Sequence, residues 1–142
     1  MSAPQTTTSP PSLCSSISVF PVNDVAAAII YYVDVLGFTK DFQWPDASAN
    51  RPTYAGITRG NVQIHFAQLD SANPRSNTRK VASLNVFVKG IHALYNEFVE
   101  KGAAVDRPPN EQPYGMTIFN VTDPFGHQLC FAEATSTCDE QA

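Results

Sequence analysis

Apolar residues recur with helical spacing in two segments of the chain. The first helix is predicted over residues 25–36, and its apolar face comprises Val25, Ala28, Ile29, Tyr32 and Leu36. Asn23 or Asp24 offers an N-cap for this helix, and Gly37 stands where a C-cap glycine belongs. The second helix is predicted over residues 90–101, and Gly102 ends it in the same way.

Shorter apolar stretches around the helices have the length and the turn-residue boundaries of β-strands. Strands are predicted over residues 17–20 (closed by Pro21), 38–42, 54–58, 62–68, 82–88, 103–106, 116–122 and 128–133. Arg59-Gly60-Asn61 predicts a hairpin turn, because Gly and Asn accept the positive φ that such turns need. Residues 70–79 are predicted as a polar linker, and residues 107–113, with three prolines, as a loop.

The order of these elements occurs twice. Val22 matches Val88 at an offset of 66 residues, and residues 64–68 match residues 129–133 at an offset of 65. Two distant segments that agree on nearly one offset indicate a duplicated unit; two unrelated halves are the alternative. The sequence therefore predicts one α+β domain over residues 16–134, built from two βαβββ modules at about 16–69 and 82–134. Residues 1–15 and 135–142 are predicted to be disordered tails.

Composition narrows the classes of function. The chain is 43% hydrophobic and 15% charged with a net charge of -4, and it has no cluster of Lys and Arg, so nucleic acid is not an expected partner. No apolar run is long enough to span a membrane, and the first residues do not form a signal peptide. The three cysteines have no motif spacing, which favours reduced thiols and a cytoplasmic location.

Three segments, 22–38, 59–68 and 115–127, resemble the vicinal oxygen chelate superfamily, which includes glyoxalase I, extradiol dioxygenases, fosfomycin resistance enzymes and bleomycin resistance proteins. The most specific marks are Leu36-Gly37-Phe38 after the first helix and Asp123-Pro124-Phe125-Gly126 before the last strand. Residues 114–117 and 121–126 most resemble the bleomycin resistance proteins, with Tyr114 where many have tryptophan. The resemblance covers the folded region. It implies a pocket-enclosing mixed sheet and a homodimer that binds a small molecule at its interface without altering it.

The same resemblance implies where a metal would be held in the enzymes of the superfamily: at Ile17 and His65, and, through the duplication, at Ser83 and Cys130. A divalent metal needs three or four converging His, Glu, Asp or Cys donors, and only two of these four residues qualify. The alternation of a strand places Glu133 on the opposite face from Cys130. His92 and His127 are expected to be solvated. We therefore expect no metal, no cofactor and no catalytic residue.

Aromatic residues supply the candidate ligand pocket. Phe42, Trp44, Tyr54, Phe87, Tyr114 and Phe119 lie on or next to the predicted cleft strands, whereas Phe66 and Phe131 are expected in the core. Because side chains alternate along a strand, Phe87 is expected on the same face as Ser83, and Gln63 on the same face as His65. Trp44 is expected in a loop beside Pro45. The predicted pocket residues are His65, Phe87, Tyr114, Trp44, Phe42, Gln63, Ser83 and Cys130.

Three functions remain open at this point. The first is metal-free binding and sequestration of an antibiotic-type small molecule, as in bleomycin resistance. The second is a lyase, isomerase or dioxygenase of the same superfamily, working with a metal, with pocket acids and bases, or through a His65–Cys130 nucleophilic pair. The third is an accessory module whose cleft is filled by its own side chains. The identity of the ligand does not follow from the fold.

Overall fold

The computed structural model describes residues 10–45, 51–69 and 81–134, and within these ranges two βαβββ modules follow one another. The first module consists of β1 (Ser18–Val22), α1 (Val25–Asp34), β2 (Thr39–Trp44), β3 (Tyr54–Arg59) and β4 (Val62–Gln68). The second consists of β5 (Ser83–Phe87), α2 (Ile91–Lys101), β6 (Asn110–Glu111), β7 (Met116–Thr122) and β8 (Gln128–Ala134). The α+β class and the duplicated unit are thus confirmed.

Each module forms one four-stranded mixed sheet. The strand orders are β1-β4-β3-β2 and β5-β8-β7-β6, and the first pair in each order is parallel while the other pairs are antiparallel. The parallel pair arises because α1 or α2 carries the chain across the sheet before the remaining, antiparallel strands are added. Neither described helix has the length and apolar character needed to span a membrane.

Helix α1 begins where the sequence predicts. The side chain of Asp24 accepts a hydrogen bond from the backbone N–H of Ala27 at 3.1 Å, which satisfies a donor that the first turn leaves free. Val25, Ala28 and Tyr32 lie on the buried face of the helix. Gly37 follows at φ 78°, and a Cβ there would lie 2.6 Å from the Arg59 guanidinium, so this position excludes a side chain twice over.

Helix α2 is held at its N-terminus by the last strand. Glu133 accepts hydrogen bonds from the backbone N–H groups of Gly90 (3.1 Å) and Ile91 (2.8 Å). A carboxylate at this end of a helix also meets the positive end of its dipole. Glu133 therefore lies on the helix side of the sheet, as the alternation predicted. Phe66 and Phe131 are buried there as well, which confirms their assignment to the core.

The two modules are joined by buried polar groups from the turn between β7 and β8. The Tyr32 hydroxyl on α1 donates to Asp123 at 2.6 Å, and the other Asp123 oxygen accepts the backbone N–H groups of Phe125 and His127. His127 accepts the N–H of Ala82 at Nδ1, so its Nε2 carries the proton and donates to the carbonyl of Pro21 at 2.6 Å. We call these contacts the module junction.

A second link lies nearer the surface. Arg59, at the end of β3, donates to Glu97 on α2 through both terminal nitrogens, at 2.8 and 3.0 Å, and also to the carbonyl of Leu36. The hydrogen bond from Arg59 lowers the pKa of Glu97 below its ordinary value. Both side chains are about one-third exposed, so solvent weakens this pair, and it contributes less than the junction.

Four local predictions were wrong. His127 is fully buried rather than solvated, because both of its ring nitrogens have partners in the module junction. Trp44 ends β2 instead of lying in a loop. Strand β1 continues through Pro21, which an edge strand tolerates. Residues 103–106 contain one isolated bridge, Val105 to Val121, and the edge strand is β6, inside the predicted loop.

Other predictions fall partly on residues outside the described ranges. These are the N-terminal tail as far as residue 9, the linker over residues 70–79, and the C-terminal tail. Residues 10–15 are described, and they are exposed and have no regular secondary structure.

The junction predicts the result of a single-atom change. Tyr32→Phe removes the donor to Asp123 and leaves a buried carboxylate oxygen unpaired, which should lower the free energy of unfolding by about 1–3 kcal/mol in urea denaturation. Tyr95→Phe is the matched control. Tyr95 packs its ring on Phe119, and its hydroxyl has no hydrogen bond to any of the described residues. Equal effects of the two changes would contradict the role of the junction.

Alkaline pH provides a further prediction. Burial, followed by the charge and hydrogen bond of Asp123, raises the pKa of Tyr32 above its ordinary value of 10.0. The unfolded chain therefore loses this proton first, so the contribution of Tyr32 is complete below about pH 10 and declines above it, by at most about 1.4 kcal/mol per pH unit. Unfolding free energies measured across this range should decline less steeply for Tyr32→Phe than for the wild type. Parallel curves would count against the prediction.

Candidate functional site

The face of the first sheet that points away from the helices carries a row of residues around His65. In the strand register His65 lies beside Val19 on one side and Gly56 on the other, and Gly56 lies beside Phe42. The neighbours of these residues along the strands, such as Phe20, Ile57 and Ile64, are buried under the helix. Val19 is 46% exposed and Phe42 is 40% exposed, so this open face is covered by nothing in the described chain.

Three rings on the open face form what we call the aromatic cradle: Phe42, Tyr54 and His65. Phe42 and Tyr54 stack at a centroid distance of 6.1 Å and an interplanar angle of 28°. The His65 ring is nearly perpendicular to both, at 5.2 Å from each. The Tyr54 hydroxyl and His65 Nδ1 are joined by a hydrogen bond of 2.8 Å. The cradle is thus a preorganised aromatic surface with one polar anchor.

Gly56 allows the cradle to close. A Cβ at this position would lie 2.3 Å from Phe42 Cε1 and 3.1 Å from His65 Cδ2, so the two rings occupy the space that any side chain would need. Trp44 lies directly across from Tyr54 and is 66% exposed, so it extends the aromatic surface along the edge of the sheet.

Around Cys130 the corresponding face of the second sheet is polar. Cys130 lies between Asn85 and Asn120 in the register. Asp106 accepts the backbone N–H of Asn120 at 2.8 Å and its side-chain amide at 3.1 Å. Burial raises the pKa of Asp106, but hydrogen bonds from Asn120 and Arg107 outweigh it, so the pKa lies below its ordinary value. Amides and one carboxylate therefore stand here where the first sheet has rings.

Cys130 is poorly suited to nucleophilic chemistry. Burial, and then the negative charge of Asp106, raise the pKa of its thiol, so the reactive thiolate is disfavoured at neutral pH. His65 and Cys130 belong to different sheets, and within the described ranges no hydrogen bond joins them. The pair lacks the contact that a base needs to activate a thiol.

A metal ion of the kind held by the enzymes of this fold does not fit these side chains. The register places Val19 beside His65 and Asn85 beside Cys130, so the implied ligands Ile17 and Ser83 each lie two residues before the position that pairs with His65 or Cys130. Across the described part of the chain, no three His, Cys, Asp or Glu residues are grouped closely enough to hold an ion. His65 instead contacts two aromatic rings.

The predicted pocket residues separate into two groups. The first sheet carries four of them: Phe42, Trp44, Gln63 and His65. Phe42 contacts His65, Trp44 is the last residue of the same strand as Phe42, and Gln63 is exposed. Ser83, Phe87 and Cys130 belong to the second sheet, and Phe87 is 78% exposed. Tyr114 lies in the turn before β7 and is exposed. Phe119 is in the core, packed on Phe98 and Phe131, so its place on the cleft side was wrong.

Some residues of these faces were not among the predicted pocket residues, namely Tyr54, Gly56, Asn85, Asn120 and Asp106. Tyr54 is an aromatic residue of a predicted cleft strand, but it is not one of the predicted pocket residues. The tight turn at Gly60 sets the register of β3 and β4 and pairs Gly56 with His65. Tyr54 is two residues before Gly56, so the sequence indicates that it shares a face with His65. Asn85 has the parity of Ser83 and could have been found in the same way.

Comparison with known proteins agrees with this architecture. The chain belongs to the Glyoxalase/Bleomycin resistance protein/Dioxygenase superfamily, whose family model matches residues 16–131. No curated protein matches the chain.

Among solved structures, similarity extends over most of the chain. TioX from Micromonospora sp. ML1 superposes with a TM-score of 0.71 at 19% identity, covering 84% of this chain and 99% of TioX. The bleomycin-binding protein of bleomycin-producing Streptomyces verticillus, solved with copper(II)-bleomycin, gives 0.64 at 26% identity, covering 84% and 95%. A lactoylglutathione lyase from Agrobacterium tumefaciens gives 0.67 at 17% identity, covering 89% and 97%, which is a likeness of fold.

The close approach at Gly56 can be tested by a double-mutant cycle. Gly56→Ala forces the Phe42 ring out of the cradle, and overpacking of this kind costs about 1–3 kcal/mol of unfolding free energy. In a Phe42→Ala background the added methyl group no longer meets the phenyl ring and is close only to His65 Cδ2 at 3.1 Å, so the same change should cost markedly less. Urea denaturation of the four proteins measures the coupling. If Gly56→Ala costs the same unfolding free energy with and without Phe42, then Phe42 does not lie over Gly56.

Proposed function

We propose that this protein binds and sequesters an antibiotic-type small molecule without altering it and without a metal. The observation that carries the proposal is the aromatic cradle, a set of packed but open rings next to an exposed tryptophan. Such rings offer a large apolar surface at little conformational cost, and their faces attract planar or cationic ligands. The net charge of -4 is compatible with a cationic ligand.

The solved relatives support the antibiotic class. The Streptomyces verticillus protein was solved with copper(II)-bleomycin and is 26% identical to this chain over 84% of its length. Bleomycin, the ligand of that protein, is therefore the first compound to test. The fold alone hosts many functions, so the proposal rests on the cradle.

We further propose that the binding unit is a homodimer. The open faces of both sheets carry exposed apolar residues, including Val19, Trp44 and Phe87. Large apolar side chains exposed on such open faces are expected to meet a partner or a ligand. A twofold dimer can lay the first sheet of one protomer over the second sheet of the other, which would give each cleft an aromatic wall and an amide wall.

The two alternatives have less support. A metal-dependent lyase, isomerase or dioxygenase needs a donor set that His65 and Cys130 do not supply, and the raised pKa of Cys130 disfavours covalent chemistry. An accessory module with a vestigial cleft would have its open faces filled by its own side chains. Here Phe42 and Phe87 stand exposed instead.

The proposal predicts saturable binding of bleomycin. Trp44 is the only tryptophan in the chain, so its fluorescence reports on the cradle directly. Both metal-free and copper(II)-bleomycin should change this fluorescence, and the drug should be recovered unchanged after long incubation. Tyr54→Ala should weaken binding about tenfold or more, because it removes one stacking ring and the hydrogen bond to His65.

The control for this experiment is His92→Ala, which changes an exposed helix residue away from the cradle. Zn²⁺, Ni²⁺, Mn²⁺ and Fe²⁺ should leave the melting temperature unchanged, since a ligand that binds only the folded state must raise it. One tightly bound metal per chain, or a chemically altered drug, would refute sequestration and favour an enzyme.

The dimer predicts a mass of twice 15.4 kDa in light scattering. Phe87→Glu puts a charge on the open face of the second sheet and should shift the protein towards the monomer. Ile30→Glu is the matched control, because Ile30 is also apolar and exposed (60%, against 78% for Phe87) but lies on α1. A wild-type protein that remains monomeric at micromolar concentration would rule out the proposed dimer.

A further inference from the structure

His65 has one nitrogen engaged and one free. Its Nδ1 is hydrogen-bonded to the Tyr54 hydroxyl at 2.8 Å, and Nε2 has no hydrogen-bond partner among the described residues. His65 is half-buried on the open face, and Nε2 is not among the buried polar atoms that lack a partner, so it is accessible to a ligand. The polar anchor of the cradle therefore has an unused hydrogen-bonding position.

The hydrogen bond at Nδ1 determines whether Nε2 is a donor or an acceptor. A neutral imidazole has one donor and one acceptor nitrogen, so the two are linked. A phenol is a stronger hydrogen-bond donor than acceptor, and the Tyr54 hydroxyl has no other hydrogen bond to the described residues. When Tyr54 donates to Nδ1, the ring proton of His65 must be on Nε2.

No described residue accepts a hydrogen bond from Nε2 of His65. Phe42 and Tyr54 meet the imidazole through their rings, and Gly56 has no side chain. Asp41, on edge strand β2, accepts the hydroxyl of Thr58. A ligand that covers this donor without accepting its hydrogen bond leaves it buried and unpaired, which costs free energy, so a ligand with an acceptor gains affinity relative to one without it.

We propose that Tyr54 fixes His65 as a hydrogen-bond donor and thereby selects flat heteroaromatic ligands whose ring edge carries an acceptor, such as a ring nitrogen or a carbonyl. His65 touches the ligand and determines specificity, while Tyr54 is a positioning residue. The inference rests on the proposed binding function and specifies the ligand class of the same cradle.

Three fused bicyclic probes of similar size test the selection. Quinoline has a ring-nitrogen acceptor, indole has an N–H donor, and naphthalene has neither. Their dissociation constants follow from chemical-shift titrations of the full-length protein at about pH 8, where free imidazole and quinoline are both neutral. Quinoline should bind about threefold to tenfold more tightly than naphthalene, the value of one net hydrogen bond, and indole should have no such advantage.

Variants assign the effect to its atoms. His65→Phe keeps a ring but removes the donor, so the advantage of quinoline should disappear while naphthalene still binds. His65→Gln restores an N–H donor and should recover part of the advantage. His92→Gln, an exposed histidine on α2, is the control and should change nothing.

The ring proton can be located independently of the variants. In the wild-type protein the ¹⁵N shifts of His65 should show the proton on Nε2, and the Nδ1 shift should change in Tyr54→Phe but not in Tyr95→Phe. A proton on Nδ1, a preference for indole, equal binding of the three probes or no binding of any of them would each overturn the inference. Bleomycin binding is measured separately. A protein that does not bind bleomycin would overturn the proposed function, whereas the preference for quinoline would still decide the inference about His65.

Discussion

Asp123 and His127 are buried polar residues in the turn between the last two strands, and the relation between the two modules depends on their hydrogen bonds. Asp123 receives one bond from α1 of the other module and two from its own turn, and His127 bridges the carbonyl of Pro21 and the N–H of Ala82. Burying such groups is costly unless each finds its partners, so the arrangement that satisfies all of them is strongly preferred over others.

The position of these contacts also decides which surfaces remain available. They lie on the helix-packed sides of the modules, where Phe20 also packs against His127. The opposite faces of both sheets are left open, with the aromatic cradle on one and the amides on the other. The proposed binding surface is thus a consequence of where the chain has placed its buried polar groups.

Much of the fold was predictable, because it is set by alternation and by turn residues along short stretches. The bounds of β4 and β7 agree with the prediction, and β8 is longer by one residue. The second edge strand was misplaced because backbone pairing beside β7 is interrupted at Pro108 and Pro109, and the ladder resumes only at Asn110. The buried state of His127 could not be predicted, since both of its partners are distant in the chain.

The candidate site was predictable only as a set of strand positions. Parity places His65 and Phe42 on one face, but their contact depends on the irregular register between Lys40 and Phe42, which no local pattern reveals. The two halves of the duplication have also diverged in chemistry, with rings beside His65 and amides beside Cys130. A binding surface made of two unlike walls can recognise two different parts of one ligand.

Pro21 has a consequence for how the edge of the first sheet behaves towards other molecules. It lies in β1, at the edge of the first sheet, where an unpaired strand could recruit a strand from another molecule. Proline has no N–H to offer, and its carbonyl is already occupied by His127. At this point the edge of the first sheet is covered by the second module and presents neither a donor nor a free acceptor, which disfavours pairing with a strand of another molecule.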